Sequence, residues 1–294
     1  NYTEPMETDI PYYKYWGSTG TKNASKVLNL NKKGNNVDTQ KFYAETVRLY
    51  TSSHCSWKCG FCNSQSFLKA SQDGQNPVHR LAPEEIHQLI LSHVKKNNPK
   101  VFLFNDDAFI DGSLRGQEHI MDLCKLIIDS KKMGAIPQDT LFNCQTRVND
   151  FIQKRPVRCV NTKLMELLKG AGFYHFGMGV ETFANRLLHT HSLNKRATNA
   201  EDADMVLTAQ LAAKMSPSIN IILFVPEATI EELFYVMKVT TYWIIKGCQV
   251  SVTPLLRPNP GTLIYDKIMS GESDVEIIYS EWKNPYNNRI VKNP

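Results

Sequence analysis

Strand-like and helix-like patterns alternate along most of this 294-residue chain, and no other feature restricts its fold as much. Six apolar β-type runs can be counted, and helical patterns occupy the five intervals between them. Such alternation is typical of βα units and predicts an α/β protein with a parallel sheet. Because right-handed crossovers place consecutive strands side by side, we expect a partial (β/α)6, TIM-like barrel. The predicted strands are residues 45–51, 100–105, 140–145, 174–179, 218–225 and 248–254.

The chain divides by composition into three parts. Residues 1–42 are rich in Asn, Lys, Thr and Tyr, and they are expected to form an irregular N-terminal arm or linker. Residues 43–266 hold all six repeats and form the predicted core, and residues 267–294 form a C-terminal extension. Helix signals agree with this division, because Pro83 opens the first helical pattern and Gly134 and Gly172 follow the second and third.

Charge and hydropathy exclude several classes of protein. Lys and Arg exceed Asp and Glu by 34 to 29, and the basic residues are scattered without the interleaved aromatics of a nucleic-acid module. Nucleic acid is therefore not the expected partner. The longest apolar run, 219–225, is far shorter than the ~20 residues that cross a membrane, and the N-terminus lacks a secretory signal. We expect a cytoplasmic protein without a membrane segment.

Seven cysteines are present, and three of them fall within eight residues after the first predicted strand. Cys55, Cys59 and Cys62 have the spacing C-x3-C-x2-C in a short loop. Thiolates are the ligands that iron–sulfur clusters require, and three of them leave one iron of a [4Fe–4S] cluster open to a small molecule. The alternative is a structural or zinc site in which His54 supplies a fourth ligand.

The other four cysteines are dispersed, and free Cys is commonly buried as a small hydrophobe. We therefore assign them to the core: Cys124, Cys144, Cys159 and Cys248. An odd count in a chain of this size also argues against a secreted disulfide framework.

The cysteine triplet, with the aromatic Phe61 just before its third member and a (β/α)6 pattern behind it, resembles the radical SAM superfamily. The resemblance covers about residues 45–266. Four further segments are similar to the branch of cobalamin-associated methylases and the anaerobic tetrapyrrole cyclase: 104–109 (FNDDAF), 144–149 (CQTRVN), 177–182 (GMGVET) and 257–262 (RPNPGT).

The resemblance implies two cofactors and a reaction type. In the family, the three cysteines hold a [4Fe–4S] cluster whose open iron binds S-adenosylmethionine (SAM). One-electron reduction cleaves SAM and releases a 5′-deoxyadenosyl radical, which abstracts hydrogen from an organic substrate. It also implies a reductant such as flavodoxin or ferredoxin.

Acidic and basic residues at the predicted strand ends are the candidate SAM contacts. Asp106 and Asp107 follow the second strand, where a carboxylate can accept from the SAM ammonium; many relatives have Gly-Gly-Glu there, and the alternative is an ordinary acidic helix start. Arg147 follows the third strand and can hold the SAM carboxylate, or else it is a surface residue.

Three more residues complete the candidate SAM set. Glu181 follows two glycines at the end of the fourth strand and looks like the Gly-Ile-Glu-Ser segment of the family. Lys195 is similar to a lysine that recurs after that glutamate, and a solvated loop lysine is the alternative. Phe61 is assigned to the same site through the cysteine motif.

The leading hypothesis is a radical SAM enzyme that methylates, rearranges or cyclises a small or mid-sized organic substrate. Cobalamin enters only through the resemblance: methylases of the branch carry an upstream corrin domain, often with Asp-x-His-x-x-Gly, and no such segment occurs in these residues. The domain has then been removed, is a separate chain, or is not used. The alternatives are an RNA-modifying radical SAM enzyme and a non-enzymatic iron–sulfur or zinc protein.

Overall fold

A computed structural model describes residues 46–64, 78–153 and 157–272, together with the backbone of 275–278 and 289–292. The predicted arm at 1–42 lies outside these residues. The main sheet has six parallel strands in the order β1-β2-β3-β6-β7-β8. Its strands are β1 Thr46–Leu49, β2 Val101–Phe104, β3 Leu141–Arg147, β6 Phe173–Glu181, β7 Ser216–Phe224 and β8 Gln249–Leu255. This order confirms the predicted (β/α)6 succession.

Helices connect these strands, as the alternation predicts. The first helix is α1 Pro83–Asn97. Each of the four long helices that follow it begins at a side-chain cap, in which the oxygen of a Ser, Asn or Thr side chain accepts a hydrogen bond from an amide of the first turn. Pro83 occupies the first position of α1, as expected. The remaining helices are α2 Leu114–Lys132, α3 Thr162–Ala171, α4 Asn185–Leu188, α5 Ala200–Ala212, α6 Ile230–Lys246 and α7 Leu263–Met269.

Two small antiparallel pairs lie outside the main sheet. Strands β4 Ile152–Gln153 and β5 Cys159–Val160 pair with each other, and β9 Val275–Ile278 pairs with β10 Arg289–Lys292. The second pair lies in the predicted C-terminal extension. The first corrects one assignment: Cys159 is exposed, because its two-residue strand pairs away from the sheet, whereas Cys124, Cys144 and Cys248 are buried as predicted.

The core fills the space between one face of the sheet and the helices. Stacked rings dominate it, with Phe104 against Phe109 at 4.1 Å and Phe142 against Phe173 at 5.2 Å between ring centroids. On the other face, side chains that alternate with these are polar, for example Gln145 and Asn220. Among the described residues, one face of the sheet is therefore covered by helices, and polar side chains are exposed on the other face. Among the described helices, none is long and apolar enough to span a membrane.

Candidate functional site

The cysteine loop follows β1 and is held against two later segments. The amide of Gly60 donates to the carbonyl of Leu193 at 2.9 Å, and the carbonyl of Gly60 accepts from the amide of Ile264 at 3.1 Å. A Cβ on residue 60 would lie 2.8 Å from the carbonyl oxygen of Ser192, so only glycine allows this approach. Asn194 also donates to the carbonyl of Lys58 at 2.7 Å. These contacts fix the loop at the C-terminal ends of the strands.

The three thiols of the motif are close enough to influence one another. Burial, with smaller contributions from the neighbouring Cys59 and Cys62, raises the pKa of the Cys55 thiol to about 11, although the amide of Trp57 donates to this sulfur at 3.5 Å and opposes the rise. A thiol with this pKa is protonated at neutral pH and would release its proton on ligating iron. The donor set and its proximity fit a thiolate-bound cluster, which spreads its ligands around four irons.

The zinc alternative depends on His54 as a fourth ligand. Its Nδ1 lies 2.8 Å from Oγ of Ser53, so this ring nitrogen is engaged within the loop. Within 46–64, 78–153 and 157–272, no three His, Cys, Asp or Glu side chains are grouped closely enough to hold a single metal ion.

Asp106 lies between β2 and α2 and faces the start of the cysteine loop. Its carboxylate accepts from the amide and hydroxyl of Thr51, at 2.8 and 3.0 Å, and from the amide and hydroxyl of Ser52. The side chain is buried. These four hydrogen bonds give Asp106 a structural role in fixing the path from β1 into the loop, and its contact with the SAM ammonium stays a prediction.

Asp107 points in a different direction from its neighbour. It is exposed and accepts from the hydroxyl of Ser64, just beyond the last cysteine of the motif. Burial raises the pKa of Cys62, and the charges of Cys59, Asp107 and Glu181 raise it further. The charge of Asp107 therefore acts directly at the rim of the cysteine loop.

Arg147 is the last residue of β3, and only 6% of its surface is exposed, so it is not the surface residue of the alternative. Its guanidinium carbon lies 3.9 Å from the ring centroid of Trp57 in the cysteine loop. One nitrogen donates to Oγ1 of Thr198 at 3.0 Å, while the buried Nε has no partner among the described residues. A buried guanidinium with a spare donor is suited to an anionic ligand.

Glu181 and Lys195 form a buried ion pair at the end of β6. Nζ of Lys195 donates to Oε1 of Glu181 at 2.9 Å and to the carbonyl of Gly179 at 2.6 Å. A Cβ on residue 179 would lie 2.8 Å from that Nζ, so the glycine makes room for the pair. Glu181 has φ of +66°, a conformation that is costly for a residue with a side chain and that often marks a functional site.

A polar surface continues from Arg147 across the open face of the sheet. Arg147 pairs with Gly179, Gly179 with Asn220, and Asn220 with Ser251, so these residues form one row on one face. Gln145 lies on the same face one step earlier in β3. The side chains of Gln145, Asn220 and Ser251 are exposed. Amide and hydroxyl groups therefore line the surface next to the cysteine loop.

The structure brings the predicted residues together at the C-terminal ends of the strands. The charge of Arg147 acts on Cys55, and the charges of Asp107 and Glu181 act on Cys62. The sixth candidate, Phe61, is partly buried and packs against the core. Two contacts were not predicted, Trp57 and Thr198, both of which hold Arg147. The aromatic between two cysteines was the available signal for Trp57, whereas nothing in the sequence pattern marks Thr198.

The fold is similar to those of solved radical SAM enzymes. One is the methyltransferase TsrM from Kitasatospora setae, solved with cobalamin and a [4Fe–4S] cluster, with a TM-score of 0.64 and 12% identity over 82% of this chain. TsrM has also been solved with tryptophan substrate and a SAM analogue, with 13% identity over 83% of this chain. Another is OxsB, a cobalamin-dependent SAM radical enzyme, with a TM-score of 0.60 and 15% identity over 84% of this chain.

The similarity concerns only part of these proteins. This chain spans 44% of the TsrM chain and 38% of the OxsB chain. No family model matches the sequence, and no curated protein matches it. At these identities the comparison establishes the fold: the chain has the partial barrel of radical SAM enzymes.

Proposed function

Because the chain has the partial barrel of radical SAM enzymes, we propose that it is one of them, with a cluster bound by Cys55, Cys59 and Cys62. The observation that carries this proposal is the convergence at the C-terminal strand ends: Arg147 stacks on Trp57 of the cysteine loop at 3.9 Å, Asp107 accepts from Ser64 just beyond it, and Glu181 ends β6. A cluster held by these cysteines would supply the electron for reductive cleavage of SAM, the chemistry that radical SAM enzymes use to abstract hydrogen from a substrate.

The protein's own residues position the cofactors. Gly60 and Asp106 fix the cysteine loop between β1, the 191–194 segment and α7. We expect Arg147, which stacks on Trp57, to bind the SAM carboxylate through its spare nitrogen, and we expect the buried Glu181–Lys195 pair to bind the ribose or methionine part of SAM. Asp107, exposed at the loop rim, is the better placed of the two aspartates to accept from the SAM ammonium.

The substrate proposed is a small or mid-sized organic molecule bound on the open face of the sheet. Gln145, Asn220 and Ser251 offer neutral donors and acceptors there, which suits a substrate with several polar groups. The reaction proposed is methylation or carbon-skeleton rearrangement. TsrM is a methyltransferase and OxsB depends on cobalamin, which supports testing this protein for corrin by its absorbance after anaerobic purification of the full-length protein.

An electron donor and a compartment follow from the same proposal. A ferredoxin or flavodoxin is the proposed reductant, because cleavage of SAM consumes one electron per turnover. The seven cysteines are free in the structure among the described residues, which supports a cytoplasmic location where thiols stay reduced.

The test is cleavage of SAM by anaerobically reconstituted protein with dithionite. We expect about four irons per chain and formation of 5′-deoxyadenosine. Cys59→Ala should abolish cleavage, whereas Cys159→Ala, which removes an exposed thiol on the separate β4–β5 pair, should leave it unchanged. Full cleavage by Cys59→Ala, or none by the unmutated protein with its cluster assembled, would show that the proposal is wrong.

A further inference from the structure

Helix α6 is apolar on more of its circumference than the protein buries. Val236, Thr240 and Trp243 are its buried residues, and they form the narrow strip that packs on the sheet. A helix that is apolar all round is normally buried all round. The excess apolar surface of α6 therefore requires an explanation outside the core.

The excess falls largely on one line along the helix, which we call the outer stripe. Its members recur at the spacing i, i+4, i+7, i+14 and i+15, which brings side chains to one face. Each is at least half exposed, from 50% to 79%. The outer stripe consists of Ile230, Phe234, Met237, Ile244 and Ile245.

The outer stripe lies on the flank of α6 that is turned away from α5. Trp243 reaches α5, where its Nε1 donates to Asp204 at 3.1 Å. With 3.6 residues per turn, the middle of the outer stripe lies roughly 150° around the helix from Trp243. On the sheet below, β8 forms the edge, its Val252 is exposed, and the helix that follows it, α7, has seven residues. No part of the chain that the structure describes covers this flank.

We propose that the outer stripe is the interface of a homodimer, in which α6 packs antiparallel against α6 of a second copy. The helix carries the exposed Glu231 in its first turn and Lys246 in its last, whereas Glu232 is already paired with Arg186 of the same copy. A two-fold axis across the middle of the helix places the acidic turn of one copy beside the basic turn of the other, and it opposes the two helix dipoles. The charges of α6 therefore complement themselves.

The exposed surface is large enough to form the apolar centre of such an interface. At roughly 100 Å² for each of its five side chains, the outer stripe of one copy offers about 500 Å² of the ~800 Å² per partner of a standard interface. The exposed charges of α6 are of both signs, Glu231 with Lys238 and Lys246, whereas helices that lie on membranes carry a predominantly basic polar face.

The experiment is sedimentation velocity on the full chain at micromolar concentration. We expect a dimer, and Phe234→Glu should weaken it about tenfold or more, because the charge would be buried between apolar side chains. Tyr235→Glu is the matched control: the same charge is placed one residue away, off the outer stripe, and the dimer should persist. Circular dichroism checks that both variants are folded.

A charge exchange tests the antiparallel arrangement. Glu231→Lys and Lys246→Glu should each weaken the dimer, by about threefold, and the double variant should recover it. A monomeric unmutated protein would overturn the proposal, as would a dimer that Phe234→Glu leaves intact. Co-sedimentation of monomeric protein with phosphatidylcholine–phosphatidylglycerol vesicles, abolished by Phe234→Glu, would overturn it in favour of a membrane surface.

Discussion

Two regions of the molecule differ in the side chains that they bury and expose: the strand ends around the cysteine loop bury charged side chains, and the β8 edge exposes apolar ones. At the strand ends of β1, β3 and β6, charged side chains are buried and paired, as with Asp106 on Thr51 and Ser52 and with Lys195 on Glu181. At the β8 edge, apolar side chains of α6 are exposed. Burying charge is costly and so is exposing a large apolar surface. The two regions therefore support the two proposals made above: cofactor binding at the first and dimerisation at the second.

The largest effect on stability is expected from breaking the buried ion pair. Lys195→Met leaves the Glu181 carboxylate buried without its partner and should lower the free energy of unfolding by about 3–5 kcal/mol, and adding Glu181→Gln should recover much of it. Urea unfolding of the metal-free protein measures this. Lys125→Met is the control, because it breaks an exposed pair with Asp122 and should change stability by less than about 1 kcal/mol. Equal losses at both sites would contradict the difference between the regions.

Asp150, which accepts a hydrogen bond from the backbone of Arg147, should make the stability of the protein depend on pH. Burial raises the pKa of this carboxyl to about 6, while its Oδ2 accepts from the Arg147 amide at 2.8 Å. As pH rises, the unfolded chain loses this proton before the native state does. Between about pH 4 and pH 6 the free energy of unfolding should therefore fall by roughly 2–3 kcal/mol, and it should not recover this amount at higher pH.

Comparison with a neutral variant isolates this effect. In Asp150→Asn the position has no charge to gain, so the unfolding free energy of the unmutated protein minus that of the variant should fall across this window. A difference that stays constant from pH 4 to pH 7 would show that the Asp150 carboxyl has an ordinary pKa.

The smallest effect is expected on the outer stripe. Val236 and Met237 are neighbours on α6, 2% and 50% exposed. Val236→Ala should cost about 1–3 kcal/mol because it leaves a cavity, whereas Met237→Ala should change the stability of the dilute, monomeric protein by less than about 0.5 kcal/mol. A large loss at Met237 under these conditions would mean that the outer stripe packs within a single copy.

The sequence predicted the fold well because its signals are local. Pro83, Gly134 and Gly172 mark helix ends, and right-handed crossovers order the strands. Within the site, strand ends identified Arg147 and Glu181, but their boundaries were short: β3 and β6 run on to include both residues, because Arg147 pairs with Gly179.

Other features depend on tertiary contacts that no local pattern contains. Two adjacent aspartates looked equivalent, yet Asp106 turns to Thr51 and Asp107 to Ser64, which only the path of the cysteine loop decides. The residue type of Cys159 predicts a core position, whereas the β4–β5 pair leaves this cysteine exposed. The outer stripe was not recognised, because an apolar helical period does not show which of two faces the sheet will cover.

The central claim is that Cys55, Cys59 and Cys62 hold a cluster with one iron open to SAM. Electron paramagnetic resonance of the reduced, reconstituted protein tests it directly. We predict a [4Fe–4S] signal whose g-values shift when SAM is added, and no such signal in Cys59→Ala. A signal that SAM leaves unchanged, or a cluster that survives in Cys59→Ala, would contradict the claim.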